Sequence, residues 1–274
     1  LSEISIMKVA VIGTGKIGCA ITQGLIRSGL AKTADITGVA RSELSREKFL
    51  AVHADLNWTT DIVQGVFNAD VVLLGVKPAQ ILQILEKLAP AKPSTLYISV
   101  AAGVTLANMQ SVLGKSARLV RAMPNTPVVV GEGVTAFTVA GGVSPEDVRW
   151  LQKMFGALGK AYEVTEAELD AVTALSGSGP AYFYVFIKAL ESAAVSEGLR
   201  SSLAREMAAQ TALGAATMLL QGRASPDELI AQVKSKGGTT EAALNVFESK
   251  QLEITVMEAV TAAANRAREL AGNK

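Results

Sequence analysis

Short apolar runs alternate with amphipathic stretches through the first part of the chain, and the alternation then stops. Met7–Ile12, Ile36–Val39, Val71–Val76, Thr95–Val100 and Arg118–Met123 are rich in Val, Ile and Leu. Such runs suit strands buried on both faces of a parallel sheet. Between them Ile17–Ser28, Glu43–Ala54, Ala79–Leu88 and Leu106–Leu113 carry apolar residues at helical spacing. Val134–Val139 reads as a further strand, and Pro145 suits the first turn of a helix running through Leu158. This is the βαβ pattern of a mostly parallel sheet flanked by helices. From Glu166 onward the chain reads as helices broken at Gly177–Pro180, Gly198, Gly222–Pro226 and Gly237–Gly238. The expected division is therefore an α/β domain over residues 1–164 and an all-α domain over residues 165–274.

Leu203–Leu220 is apolar nearly all round, and such a helix has to be covered on several sides. A helical domain of that size rarely covers one of its own helices so fully, so the expectation is a second subunit, with a central helix of a monomeric bundle as the alternative. Composition agrees, because 49% of the 274 residues are apolar and only 19% are charged. A net charge of +1 offers no broad attraction to nucleic acid or to an acidic membrane, and neither is an expected partner. The single cysteine, Cys19, and the single histidine, His53, supply neither a disulfide nor a metal cluster, so no metal site is expected. With no signal-like start and no apolar stretch long enough to span a bilayer, the expected location is the cytoplasm.

Gly13-Thr14-Gly15-Lys16-Ile17-Gly18 follows one predicted strand and opens the next helix, the context in which GxGxxG binds a dinucleotide. Gly13 permits the tight turn, Gly15 admits a pyrophosphate to the backbone, and Gly18 lets helix and strand approach. That makes the first domain Rossmann-type. After the second strand an NAD-preferring fold has an acid for the ribose, whereas this chain has Arg41 and Ser42. Both can hydrogen-bond a 2′-phosphate, so NADPH is expected over NADH, although Arg41 also suits a solvated loop. Val76-Lys77-Pro78, Ala101-Ala102 and Met123 with Asn125 end later strands at the edge where such sheets bind ligands, and are expected to border the cofactor.

In the helical half, Ser235-Lys236-Gly237-Gly238-Thr239-Thr240 runs into a helix at Glu241. Two glycines and the unpaired first amides of a helix can converge on a carboxylate or phosphate. The same residues also serve an ordinary N-cap through Thr239 or Thr240. Ser176-Gly177-Ser178-Gly179-Pro180 precedes the long helix Ala181–Glu197. Ser178 is no hydrolase nucleophile there, because no strand leads into it and no histidine follows.

Gly13–Gly18, Val76-Lys77-Pro78, Met123-Pro124-Asn125-Thr126-Pro127, Leu175–Tyr182 and Gly237-Gly238-Thr239-Thr240, in that order, resemble the motifs of pyrroline-5-carboxylate reductases. The resemblance runs from Met7 to about Leu270. It implies NAD(P)H-dependent reduction of 1-pyrroline-5-carboxylate, a cyclic imine carboxylate, to L-proline, the last step of proline synthesis. It implies a helical domain that interlocks with a second copy, the homodimers assembling further into rings. It places the substrate between the nicotinamide crevice and a Gly237–Thr240 loop supplied by the partner. Ser235, Gly237, Gly238, Thr239 and Thr240 would hold the substrate, with Ser178 shaping the wall and the Thr240 hydroxyl facing the ring nitrogen as the catalytic group. Lys236 stands where the family commonly has proline, Ile17 where it often has methionine, and Ile62 where it often has asparagine. Two other functions fit the residues less well. One is a β-hydroxyacid-type dehydrogenase, for which Lys188 is the sole candidate catalytic lysine, and the other a non-catalytic NADPH sensor.

Overall fold

The structure, a computed structural model, describes residues 6–272. Its first part is one eight-stranded sheet built from β1 (Val9–Ile12), β2 (Ile36–Val39), β3 (Asn57–Thr59), β4 (Val71–Leu74), β5 (Leu96–Ser99), β6 (Arg118–Pro124), β7 (Gly133–Ala140) and β8 (Gly159–Glu163). The strands lie in the order β3-β2-β1-β4-β5-β6-β7-β8, parallel throughout except where β6 meets β7. The order reverses between β1 and β4, and ligands bind such sheets at that switch point.

Side chains on each strand alternate between two cores. Val9, Val11, Val71, Leu73, Leu96 and Ile98 face one layer with α1 (Lys16–Arg27), α2 (Glu43–Leu50) and α6 (Pro145–Gly156), where Ile21, Leu25, Phe49, Trp150 and Phe155 are fully buried. Ala10, Ile12, Val72, Leu74 and Tyr97 face the other layer with α3 (Ile62–Val66), α4 (Pro78–Leu88) and α5 (Leu106–Leu113). The helix starts follow local chemistry. Asp61 accepts the Val63 and Gln64 amides at the head of α3, and Ser144 with Asp147 forms a capping box in front of Pro145.

Three elements escape the apolar pattern. β3 and β8 are the two edges of the sheet, and α3 has five residues, too few to display a helical period. The helix from Pro145 stops at Gly156, and the following residues turn at Gly159 into β8 rather than ending the domain.

The chain forms two compact units, and they divide elsewhere than at Val164. The first runs on to Ser178 and regains the chain from Ala263, while the second is Gly179–Ala262. The reason lies in α7 (Leu169–Val172) and the π-turn Thr173–Gly177 behind it, where Leu169 and Ala174 are fully buried and Asp170 pairs with Arg121 of β6. The second unit holds α8 (Gly179–Ser196), α9 (Ser201–Gln221), α10 (Pro226–Val233), α11 (Thr239–Ser249) and the first part of α12 (Leu252–Leu270). α8 packs on α9, where Arg205 grips Glu191 at 2.9 and 3.0 Å, and Phe186 meets Phe247 of α11 at 6.3 Å. Among the described residues no helix is long and apolar enough to cross a membrane.

Candidate active site

The loops that leave the carboxyl ends of neighbouring strands are tied to one another in a row. The Gly13 amide donates to the Val39 carbonyl at 3.0 Å, the Gly75 amide to Ile12 at 2.8 Å, and the Val100 amide to Leu74 at 3.2 Å. Reading across the sheet, Arg41 lies just past β2, Gly13–Gly18 past β1, Val76–Pro78 past β4, Ala101–Ala102 past β5, and Met123 at the end of β6. Five segments spread over more than eighty positions thus come to one edge, in an order that the chain itself does not have.

The glycine fingerprint fits a pyrophosphate. Gly13 has φ +97°, and a Cβ there would sit 2.6 Å from the Gly75 backbone, so the turn and the approach of β1 to β4 both require glycine. At Gly18 a Cβ would meet the Gly13 carbonyl at 2.3 Å, whereas at Gly15 it would meet nothing within 4 Å. The space beside Gly15 is open where the backbone must be approached. Gly15 is also the N-cap of α1, with no side-chain cap and no acid in the first turn. The first helical bond runs from Cys19 N–H to the Gly15 carbonyl, so the Lys16, Ile17 and Gly18 amides have no partner within the helix and remain available to an anion.

Other assigned residues carry structural duties. The buried Thr14 hydroxyl donates to the Ser45 carbonyl at 3.2 Å, pinning the glycine loop to the head of α2. Ser42 is the N-cap of α2, its hydroxyl accepting the Ser45 amide at 3.3 Å, so of the two residues read as 2′-phosphate contacts only Arg41 is exposed without a capping role. Lys77 caps α4 through its backbone ahead of Pro78 and is exposed, and Ala101 is buried. Cys19 donates to the Thr14 carbonyl at 3.4 Å, and burial pushes its thiol up despite nearby Lys48, so it stays protonated. Asn125, read as a cofactor contact, uses both ends of its carboxamide within the protein. Its Nδ2 donates to the Ser176 carbonyl at 3.1 Å and its Oδ1 accepts the Val134 amide at 2.8 Å.

The polar turn of the helical unit has its own geometry. Gly237 is left-handed at φ +71°, Gly238 is the N-cap of α11, and no side chain caps this helix. Thr239 and Thr240 are already helical, so the ordinary reading in which a threonine hydroxyl caps the helix does not hold. Helix α11 also begins two residues before Glu241. The Gly238 amide closes the turn onto the Ser235 carbonyl at 3.0 Å, and the Gly237 amide goes to Glu241 Oε2 at 2.8 Å. Those two amides are therefore engaged within the turn. The Thr239 and Thr240 amides, at the first positions of α11, have no intrahelical acceptor. Ser235 and Lys236 are exposed, and Ser178 sits at the end of the π-turn with its amide on the Thr173 carbonyl at 2.9 Å.

Sequence reasoning missed the buried ion cluster of the first unit. Arg121, 5% exposed, reaches Glu166 at 3.2 Å and Asp170 at 3.7 Å, and the same Glu166 oxygen accepts the Leu106 amide at the head of α5. An arginine inside an apolar strand was the one available signal, since a buried guanidinium requires acids nearby. The Glu241 contact follows the spacing of a capping box shifted by one residue. Among the described residues no group of three or more acidic, histidine or cysteine side chains is placed to hold a metal ion.

Comparison with known proteins gives two family matches, "NADP oxidoreductase coenzyme F420-dependent" over residues 8–103 and "Pyrroline-5-carboxylate reductase dimerisation" over residues 166–270. A pyrroline-5-carboxylate reductase of Glycine max is 38% identical over 264 residues, covering 94% of each chain. Among solved structures, a pyrroline-5-carboxylate reductase of Coxiella burnetii has a TM-score of 0.89 at 38% identity, covering 97% of this chain and 99% of that one. A Plasmodium falciparum pyrroline carboxylate reductase with NADP bound has a TM-score of 0.88 at 28% identity, covering 98% of this chain and 100% of that one.

Proposed function

The chain belongs to the pyrroline-5-carboxylate reductase family, and from that membership we propose that it reduces the C=N bond of 1-pyrroline-5-carboxylate to L-proline with NAD(P)H, acting as a homodimer. The full-length likeness to reductases of that name carries the reaction. The geometry supports the following roles.

The amides at the head of α1 receive the pyrophosphate, with Gly15 leaving the approach open. Arg41 offers a guanidinium to a 2′-phosphate, which favours NADPH. Val76, Pro78, Ala101, Ala102 and Met123 give the far end of the row a small apolar lining that excludes water. Bound NAD(P)H supplies the hydride. The imine carbon accepts it, the ring nitrogen bears the proton, and an imine that arrives protonated needs no tuned base. That suits a row of loops without a histidine or a paired carboxylate. The Thr239 and Thr240 amides seat the substrate carboxylate, Gly237 and Gly238 shape the seat, Ser235 closes it, and the Thr240 hydroxyl faces the ring nitrogen. Most of the rate then comes from holding donor and acceptor in line in a dry pocket.

The dimer forms through the helical unit, whose apolar surface is described below, and the partner supplies the Ser235–Thr240 loop. A location in the cytoplasm accords with a chain whose one cysteine is free. Lys188 is exposed on α8, and the likeness to pyrroline-5-carboxylate reductases favours imine reduction over the dehydrogenase reading.

Purified protein given pyrroline-5-carboxylate should consume NADPH faster than NADH. Absence of turnover with both would end this reading. Thr240→Ala should lower kcat by roughly ten- to a hundredfold, the worth of about 1–3 kcal/mol for a hydrogen bond in a closed site, and leave the KM for NADPH unchanged. Full activity in that variant would remove the hydroxyl from the mechanism.

A further inference from the structure

The π-turn Thr173–Gly177 carries an acceptor that an α-helical i to i+4 bond cannot satisfy. In a helical continuation the Ser176 carbonyl would receive the amide of residue 180, and that residue is Pro180, which has no N–H. Asn125 fills the gap from the end of β6, its Nδ2 donating to the Ser176 carbonyl at 3.1 Å. Asn125 is itself fixed on β7, where its Oδ1 accepts the Val134 amide at 2.8 Å and its own amide donates to the Val134 carbonyl at 3.1 Å. At 8% exposure the side chain has little freedom to do anything else. One residue further on, Gly177 passes so close to Met123 that an added Cβ would lie 2.6 Å from the methionine Cε. Arg121, two residues before Met123, anchors the start of the same segment through Glu166 and Asp170. The segment that ends in Ser178 is thus held against the carboxyl end of β6 by a buried ion cluster at one end and one carboxamide at the other.

We propose that Asn125 is a positioning residue for the imine substrate and not a cofactor contact. Its carboxamide holds the Ser176 carbonyl and so sets where the turn, with Gly177 against Met123, presents Ser178. The inference rests on the reading of Ser178 as part of the substrate wall. It separates two constants that a cofactor contact would move together. Loosening the turn weakens use of the imine, while the phosphate and ribose end of the row, past β1 and β2, is untouched.

Asn125→Asp is the sharpest variant. It keeps an oxygen for the Val134 amide but sets a carboxylate oxygen against the Ser176 carbonyl. With the full chain, steady-state kinetics on pyrroline-5-carboxylate should show kcat/KM for the imine reduced roughly tenfold or more, while the NADPH dissociation constant from a fluorescence titration stays within about twofold. Asn125→Ser, measured beside it with a melting curve for each, serves if the aspartate variant fails to fold. It should give the same split with a smaller loss. An NADPH dissociation constant weakened as much as kcat/KM would make Asn125 a cofactor contact and overturn the proposal, as would an unchanged kcat/KM. If the unaltered protein does not reduce this imine, the proposed reaction falls, and the NADPH titration still decides whether Asn125 touches the cofactor.

Discussion

The sheet unit buries a core of large apolar side chains, with Phe67 and Leu175 among its exceptions, whereas the helical unit leaves most of its own exposed. Trp150, Phe137, Phe155 and Ile21 are fully buried in the first, whereas in the second Ala204 and Ala208 are buried, and Phe183, Val185 and Leu220 are 64%, 69% and 77% exposed. Tyr184, Leu213 and Met218 on α8 and α9 are exposed as well. Apolar surface of that extent marks a site of interaction. The surplus of apolar residues in the composition therefore has an address. One unit completes its core with its own chain, and the other leaves apolar residues exposed for the second copy proposed above.

The comparison can be broken at its strongest point. Val185→Asp combined with Leu213→Asp puts two charges on the surface assigned to the partner. The expected result is monomeric protein by light scattering, with activity lost and the NADPH-binding unit still folded. A stable dimer in this double variant would relocate the interface. In the sheet unit the corresponding damage is a cavity: Phe137, buried against Phe155 at 5.7 Å between ring centroids, should cost about 3–5 kcal/mol when cut to alanine. Chemical denaturation of Phe137→Ala at several protein concentrations tests this, since a loss that vanishes at high concentration would mean that the sheet unit, too, leans on the dimer.

The smallest effect concerns acid. Burial raises the Asp147 carboxyl, but the Arg118 hydrogen bond, the Ser144 amide and hydroxyl and the Arg118 charge outweigh it, so the group lies below the usual carboxylate value. Its stabilisation is present above the unfolded pKa of about 3.9 and disappears as pH falls through the lower folded value. Asp147→Asn should cost about 1.5–3 kcal/mol at neutral pH, the worth of a hydrogen bond to a charged group, and flatten the acid limb of a stability curve. Glu191 of the helical unit is also lowered, by its Arg205 hydrogen bond, yet it is a surface pair, and Glu191→Gln should leave that limb unchanged. Equal effects from the two would erase the contrast between buried and surface ion pairs.

Much of this architecture is readable without coordinates because it depends on near neighbours. Continuous apolar strands, helix faces and the Gly13–Gly18 turn are properties of a few consecutive residues. The interior strands β1, β2, β4, β5, β6 and β7 are legible for that reason. The edge strands β3 and β8 are not, because a strand with one neighbour needs no continuous apolar run. Ser42 carries a second role that is equally local. It caps α2 through the spacing to Ser45, in addition to its place after the second strand.

By itself, then, the sequence determined a dinucleotide-binding α/β half, a helical half with more apolar surface than it can bury alone, and a family. Those follow from periodicity, composition and ordered local motifs. Only the tertiary structure decided that the sheet unit extends to Ser178, that Arg121 is neutralised by Glu166 and Asp170, and that Asn125 fastens Ser176. The physical reason is that buried polar groups must find partners wherever the fold brings them. Asn125 and Ser176 stand 51 residues apart, and nothing local to either names the other.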